Sequence, residues 1–199
     1  MNSALPSRAA HPPSVAVRAS QEQLMGWLDQ VMDPEVPVVS VVGLGIVREI
    51  RWHDGEDLPP GAKAPRLQVV VTPTYSGCPA TEVIARSIRE ALQSHGIPDV
   101  EVTTRLSPAW TTDWMSPQAR EALRAYGIAP PVGSAHAGID GSQVVDIAGL
   151  LGAADRPAVP CPLCGSRRTR LLSQFGSTAC KALYQCNSCL EPFDYFKPH

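Results

Sequence analysis

Apolar residues near the beginning of the chain recur three or four positions apart, so their side chains share one face of a helix. The residues of this apolar stripe are Leu24, Trp27, Leu28 and Val31. Just before it, Ser20 and Gln23 have the spacing of a capping box. The pattern predicts a helix over residues 21–32, which Pro34 and Pro37 end because proline cannot donate a backbone hydrogen bond.

Strand patterns follow this helix. Side chains alternate in character over residues 46–52, which predicts a strand, and residues 67–72 contain three successive valines, as in a strand buried on both faces. The segment between them is rich in Asp, Gly and Pro and predicts a loop, so the two strands are expected to pair as a hairpin. Alternation over residues 100–106 predicts a third strand.

Two further helices have recognisable ends. One is expected to start at Pro79, which suits the first helical position, and to stop at Gly96. The other is expected to start at Ser116 and to stop at Gly127. Together these helices and strands predict an α+β domain over residues 20–128.

The chain contains 20 Pro and 15 Gly, which indicates irregular stretches. Residues 1–19 are predicted to be a disordered tail, and residues 129–158 a linker or arm with one short apolar element at 144–151. The tail lacks the apolar run of a secretory signal, and no segment reaches the roughly 20 apolar residues of a membrane helix. We therefore expect a cytosolic protein without a membrane partner, whose thiols stay reduced.

The charge balance bears on the kind of partner. Lysine and arginine total 17 against 19 acidic residues, whereas proteins that bind nucleic acid usually carry a basic excess. Nucleic acid is therefore not the expected partner. Arg167, Arg168 and Arg170 form a local basic cluster, which we interpret as a solvated or protein-docking face, with nucleic-acid binding as the alternative.

Four cysteines near the end of the chain form two Cys-X-X-Cys pairs. They are Cys161, Cys164, Cys186 and Cys189. Each two-residue gap lets a tight turn aim both sulfur atoms at one point, which predicts a tetrahedral zinc site in a ribbon module over residues 159–199. An iron–sulfur cluster is the alternative occupant, while disulfides are disfavoured by the expected compartment. Residues 170–175 and 181–184 are predicted to be strands of this ribbon.

Cys180 lies six residues before the second pair and does not belong to it. Three interpretations stay open: a packed cysteine, an alternative metal ligand, or a reactive auxiliary thiol. Buried packing is the commonest fate of a free cysteine.

Cys78 is predicted to lie at the beginning of a helix, where unpaired N–H groups and the helix dipole lower the pKa of a thiol. Such a thiol can act as a nucleophile or bind iron, although a buried capping cysteine explains the pattern nearly as well. Asp33 and Glu35 belong to an Asp-Pro-Glu turn that could approach Cys78. A purely structural turn with an Asx hydrogen bond explains these two residues about equally well.

Several long motifs resemble a known family. The motifs DPEVPVVS at residues 33–40, GLGIV at 43–47 and TPTYSGCP at 72–79 resemble the SufT-like domain associated with iron–sulfur assembly. The runs SQFGSTACKA at 173–182 and EPFDYFK at 191–197 resemble the subfamily that adds a cysteine ribbon to that domain. That subfamily is the D subunit of the phenylacetyl-CoA epoxidase system of aerobic phenylacetate degradation.

The resemblance implies an accessory role. Other subunits of that system resemble a diiron oxygenase and an iron–sulfur flavin reductase, and the D subunit resembles a maturation factor for their metal centres. Cys78 matches the cysteine that handles iron or a cluster in SufT-like domains, Asp33 and Glu35 match its acidic turn, and the four ribbon cysteines match the zinc ligands. We expect a non-catalytic homodimer whose ribbon docks on another component of the epoxidase.

Two rival hypotheses belong to other classes. Cys78 could be the nucleophile of an enzyme acting on a CoA thioester, although the sequence places no histidine base beside it. Alternatively, the ribbon could bind nucleic acid, which would make binding dependent on salt.

Overall fold

A computed structural model describes residues 18–54, 65–132 and 158–198. The elements are α1 (Gln21–Leu28), β1 (Val47–His53), β2 (Arg66–Val71), α2 (Thr81–Ser94), β3 (Val100–Thr104), a short 3₁₀ helix (Thr112–Trp114), α3 (Pro117–Tyr126), β4 (Thr169–Ser173), β5 (Lys181–Cys186) and β6 (Pro192–Phe196). The predicted tail up to residue 17 and most of the predicted linker, with its short element, lie outside the described residues. In the described part, no helix is long and apolar enough to cross a membrane.

The first sheet has the strand order β1-β2-β3. As predicted, β1 and β2 pair antiparallel, with Ile50 opposite Val69. Strand β3 pairs parallel to β2, so α2 crosses over one face of the sheet and buries Ile84, Ile88 and Leu92. The predicted α+β class is confirmed.

Helix α1 is shorter than predicted, because it ends at Leu28 rather than at residue 32. The apolar stripe continues to Val31, which is buried, but the N–H of Val41 donates to the Val31 carbonyl at 2.9 Å. At the end of α1 the N–H groups of Gln30 and Val31 donate to carbonyls only three residues back, those of Trp27 and Leu28, so the last turn tightens and the α-helix does not continue. The chain therefore turns towards the acidic segment well before Pro34.

Gly45 lies where the chain enters β1, and it has a positive φ of 71°. A Cβ atom at this position would meet the Trp114 carbonyl oxygen at 2.5 Å. Glycine is therefore needed both for the backbone conformation and for the close approach of the segment before α3.

The second sheet has the order β4-β5-β6, with both pairs antiparallel. The sequence predicted the first two strands and missed β6. The cysteine pairs lie at one end of this ribbon, and the loop between β4 and β5 lies at the other, because β5 begins just after Cys180 and ends at Cys186.

The two sheets exchange buried residues at their junction. Phe196, on β6, is 1% exposed and belongs to the core of the first sheet, where its ring centroid lies 6.1 Å from that of Trp110. Ala129, predicted to begin the linker, packs instead in the ribbon core and bridges to Tyr195. Its N–H donates to Asp194, and its carbonyl accepts from the N–H of Phe196. The segment after α3 thus joins the ribbon directly.

Replacing Phe196 with alanine is expected to lower the free energy of unfolding by about 3–5 kcal/mol, because a fully buried aromatic side chain is removed. Urea denaturation followed by tryptophan fluorescence measures this loss. Phe175 offers a matched control in the same sheet region, since it is 67% exposed. The packing described here is wrong if Phe196→Ala and Phe175→Ala unfold at the same urea concentration.

Candidate metal centre and thiol cavity

The four ribbon cysteines converge as predicted: their sulfur atoms all lie within 4.8 Å of one another. The Cys161 and Cys189 sulfurs are 3.8 Å apart, and those of Cys164 and Cys186 are 3.5 Å apart. A tetrahedron with ligands at about 2.3 Å from zinc has sulfur–sulfur edges of about 3.8 Å. The sulfur positions therefore fit one tetrahedral metal ion of zinc size.

The backbone of each cysteine pair supports this arrangement. Gly165 and Leu190 follow the second cysteine of their pairs, and both have positive φ, at 73° and 68°. In the second pair, the N–H groups of Ser188 and Cys189 donate to the Cys186 sulfur at 3.3 and 3.5 Å. The Cys189 N–H is the largest influence and, against the effect of burial, lowers the pKa of Cys186 to about 6. Hydrogen bonds from these N–H groups favour the thiolate form of Cys186, which is the form that binds metal.

The basic cluster beside this centre is engaged with the ribbon itself. The Arg168 guanidinium donates to the Ser188 hydroxyl at 3.2 Å, and that of Arg170 donates to the Gln185 side chain at 2.6 Å. Both arginines thus brace neighbouring ribbon segments, and a role in docking stays a prediction.

A second group of reactive side chains lines a small cavity at the junction of the two sheets. Its chemically reactive lining residues are Asp33, Glu35, Cys78 and Cys180. The cavity volume is about 10 Å³, which is close to the space needed by one water molecule. Such a cavity has room for a single ion, not for a thioester substrate.

Asp33 holds the acidic turn in shape. Its Oδ1 accepts the backbone N–H of Glu35 at 2.8 Å and that of Val36 at 2.9 Å. Its own N–H donates to the Val39 carbonyl, which closes the loop. Burial raises the pKa of the Asp33 carboxyl, while these two N–H groups and the charge of Lys181 oppose the rise. Asp33 therefore forms the structural Asx turn and also lines the same cavity as Cys78.

The sequence prediction for Cys78 needs a correction. Helix α2 begins at Thr81, with Ala80 rather than Cys78 at its cap, so Cys78 lies one turn before the helix and Pro79 is outside it. Burial raises the pKa of the Cys78 thiol, the N–H of Ala80 opposes this, and the nearby carboxylates of Glu35 and Asp33 raise it further. The lowered pKa predicted from the helix dipole alone is wrong, because desolvation and like charge outweigh the dipole.

Cys180 lies opposite Cys78 in the lining of the same cavity. It is 4% exposed and packs in the core of the first sheet. It is not part of the four-cysteine cluster. That Cys180 lines the same cavity as Cys78 could not be predicted from local pattern, because 101 positions separate the two residues in the sequence. Only the resemblance of the run at 173–182 indicated that this loop matters.

Two parts of the chain match known protein families. Residues 21–104 match the family described as iron–sulfur cluster assembly protein. Residues 150–197 match the family described as PaaD zinc beta ribbon domain. The match that decides the family spans both parts: the chain is 47% identical, over 94% of its length and 94% of the relative, to the putative D subunit of the 1,2-phenylacetyl-CoA epoxidase of Escherichia coli. The chain belongs to the D-subunit family of the phenylacetyl-CoA epoxidase.

Relatives of the first part alone are also found. The Fe-S protein maturation auxiliary factor YitW of Bacillus subtilis is 35% identical over 53% of this chain and 94% of its own length. A crystal structure of a domain of unknown function, DUF59, from Bacillus anthracis is 26% identical and covers 52% of this chain and 90% of that one, with a TM-score of 0.44. The two family matches show that this D-subunit chain joins an assembly-type domain to a cysteine ribbon.

The four-cysteine cluster is expected to hold one metal ion per chain. Substitution Cys161→Ser should remove this ion, because three thiolates and a weak hydroxyl ligand bind it less tightly. Metal analysis by mass spectrometry of the purified protein measures the content. Ala182→Ser is the control, since it also places a serine at a buried position of the ribbon but lies outside both sulfur sites. Full metal content in Cys161→Ser would contradict the assignment.

The carboxylate of Glu35 is expected to slow alkylation of Cys78 at neutral pH, because a neighbouring negative charge disfavours the reactive thiolate. Glu35→Gln should therefore lower the pKa of Cys78 and speed its reaction with iodoacetamide. The measurement is a pH profile of Cys78 labelling under anaerobic conditions, with the site mapped by mass spectrometry.

Glu82→Gln is the control for this experiment, because Glu82 is exposed in the first turn of α2 and its substitution removes the same formal charge. Equal labelling rates in the two variants would show that the carboxylate of Glu35 has no influence on the Cys78 thiol.

Proposed function

We propose that this chain is an accessory component of the phenylacetyl-CoA epoxidase system that supplies iron to the metal centres of its oxygenase or reductase subunits. In this role Cys78 binds the iron transiently, and the turn of Asp33 and Glu35 provides carboxylate oxygen. The proposal is supported by two relationships, one to an epoxidase subunit and one to a maturation factor for iron–sulfur proteins.

The observation that carries the proposal is the shared cavity. A thiol and two carboxyl groups line a space of about 10 Å³, which is close to what one water molecule needs. Sulfur and carboxylate together suit a divalent transition metal better than magnesium or calcium, which prefer oxygen alone. The size favours iron as a single ion over a preassembled cluster.

The chemistry of the cavity favours transfer over catalysis. The pKa of Cys78 is raised, so the thiol keeps its proton until a metal displaces it, whereas a nucleophile needs a lowered pKa. Of the described histidines, His53 contacts Gln68 and His95 stacks on Trp27, and neither lines the cavity. The thioester enzyme is thus disfavoured.

The ribbon is proposed to hold zinc as a permanent structural ion. Four thiolates leave no open coordination position for a substrate, and a small sheet of three short strands gains most of its folding free energy from such an ion. In this proposal the ribbon also docks on an epoxidase subunit. We also propose that the protein is a homodimer and that it is located in the cytoplasm.

The experiment compares cells that contain the wild-type chain, no chain, or the variant Cys78→Ser. The oxygenase and reductase subunits are purified from each under anaerobic conditions, and their iron content and epoxidase activity are measured. Iron in at least one of these subunits is expected to fall in Cys78→Ser to the level of the deletion. Ser76→Ala, in the same exposed loop, should leave the iron content unchanged.

The maturation role is refuted if the partner subunits carry their full iron in the deletion strain. If only Cys78→Ser retains full partner iron, the chain still acts in maturation but Cys78 does not handle the metal.

A further inference from the structure

Cys180 is a buried thiol that has no role in the proposed function. It lies at the end of the loop between β4 and β5, with its sulfur 3.0 Å from the Thr178 hydroxyl oxygen. The same sulfur lies 3.8 Å from Oε2 of Glu35, across the junction between the two sheets. The ribbon thus places a thiol against the acidic turn of the first sheet.

We propose that Cys180 is the second thiolate ligand of the ion bound at Cys78, so that the ribbon completes the iron-handling site from the opposite wall of the cavity. This inference rests on the proposed function. The site is then formed within one chain, and it takes a single divalent transition-metal ion such as Fe²⁺. A second Cys78 from a dimer partner is not needed to provide two sulfur ligands.

Glu35 is the carboxylate best placed to join the two thiols. Its Oε2 lies 3.8 Å from the Cys180 sulfur, and its side chain lines the cavity together with Cys78. Asp33 differs, because its Oδ1 is occupied by two backbone N–H groups. We therefore assign Glu35 as the oxygen ligand and Asp33 as the residue that positions it. Two sulfurs and one carboxylate leave coordination positions open for release to a partner.

Cys180 reaches the cavity only because the ribbon is docked. The N–H of Lys197 donates to the Cys180 carbonyl at 3.0 Å, and the adjacent Phe196 is buried in the core of the first sheet. Lys181, directly after Cys180, is 5% exposed and pairs with Asp194 of β6 at 3.2 Å. These contacts fix the backbone at Cys180 to β6, and the burial of Phe196 fixes β6 to the first sheet.

Strand β5 connects the two sulfur sites. It begins at Lys181, next to Cys180, and ends at Cys186, which belongs to the four-cysteine centre. Six residues of strand span roughly 20 Å. The ribbon metal is therefore too distant to touch the cavity, and it acts on Cys180 by keeping the strand and its loop folded.

The test uses the full-length chain with zinc in the ribbon, kept anaerobic and titrated with Co²⁺ as a visible substitute for Fe²⁺. Wild type is expected to bind one Co²⁺ beyond the ribbon ion, with thiolate-to-cobalt absorption in the near ultraviolet. Cys180→Ser and Cys78→Ser should each reduce this absorption to about half and weaken binding at least about tenfold, because one of two thiolate ligands is lost. Gln174→Ala, at an exposed position in the same loop, should match wild type.

A measurement on the wild type alone covers the case in which a Cys180 variant does not fold. X-ray absorption at the cobalt edge counts the sulfur neighbours of the added ion, after zinc analysis has shown that the ribbon is still filled. Two sulfur neighbours are expected, and one sulfur neighbour would overturn the proposal.

The outcomes separate this inference from the proposed function. If Cys78→Ser loses the cobalt signal while Cys180→Ser keeps the wild-type spectrum and affinity, Cys180 only packs, and the iron-supply role of Cys78 stands. If wild type binds no second Co²⁺, the two-thiolate site does not exist, and the iron content of the partner subunits decides the proposed function independently.

Discussion

The docking of the ribbon edge on the first sheet is the interaction on which the rest of the structure depends. The side chain of Phe196, on β6 of the ribbon, packs in the core of the first sheet. Ala129, which follows α3, packs in the core of the ribbon. Such an exchange makes the two cores mutually dependent, because moving either unit away exposes apolar surface of both. It also creates the thiol cavity, since one wall comes from the loop before β5 and the other from the acidic turn and the Cys78 loop.

The two sulfur sites differ in the groups that surround the sulfur atoms. In the ribbon, four sulfurs surround one point, and the N–H groups of Ser188 and Cys189 donate to the Cys186 sulfur. At the junction, burial and adjacent carboxylates raise the pKa of both Cys78 and Cys180, and the thiols stay protonated without a metal. In the proposed function, the ribbon holds its ion with four sulfurs, whereas the junction site binds its ion with fewer sulfurs and in exchange for protons.

Local signals in the sequence were sufficient for most elements and for the ribbon centre. Ser116 and Gly127 bound α3 as predicted, because caps act within one turn. Within each cysteine pair the two-residue gap aims both sulfurs at one point, and the antiparallel pairing of β4 with β5, Thr169 opposite Cys186, brings the two pairs together. Predictions failed where distant contacts matter. Val31 bonds to Val41 instead of continuing the helix, and burial beside Glu35 raises the pKa of Cys78, which the sequence had predicted to be lowered. The presence of Cys78 and Cys180 in one cavity depends on how the two sheets dock, which no local pattern encodes.

The charge of the cavity explains why thiols rather than further carboxylates suit this position. Exchanging two thiol protons for one divalent ion leaves the net charge of the cavity unchanged, so the bound and empty states bear a similar desolvation cost. Additional carboxylates would be ionised before metal arrived and would repel Asp33 and Glu35 across a space of about 10 Å³. Lys181, buried beside Cys180, offsets part of the acidic charge and opposes the rise in the pKa of Asp33. The cavity can therefore stay folded without an ion, as the proposed supply of iron requires between deliveries.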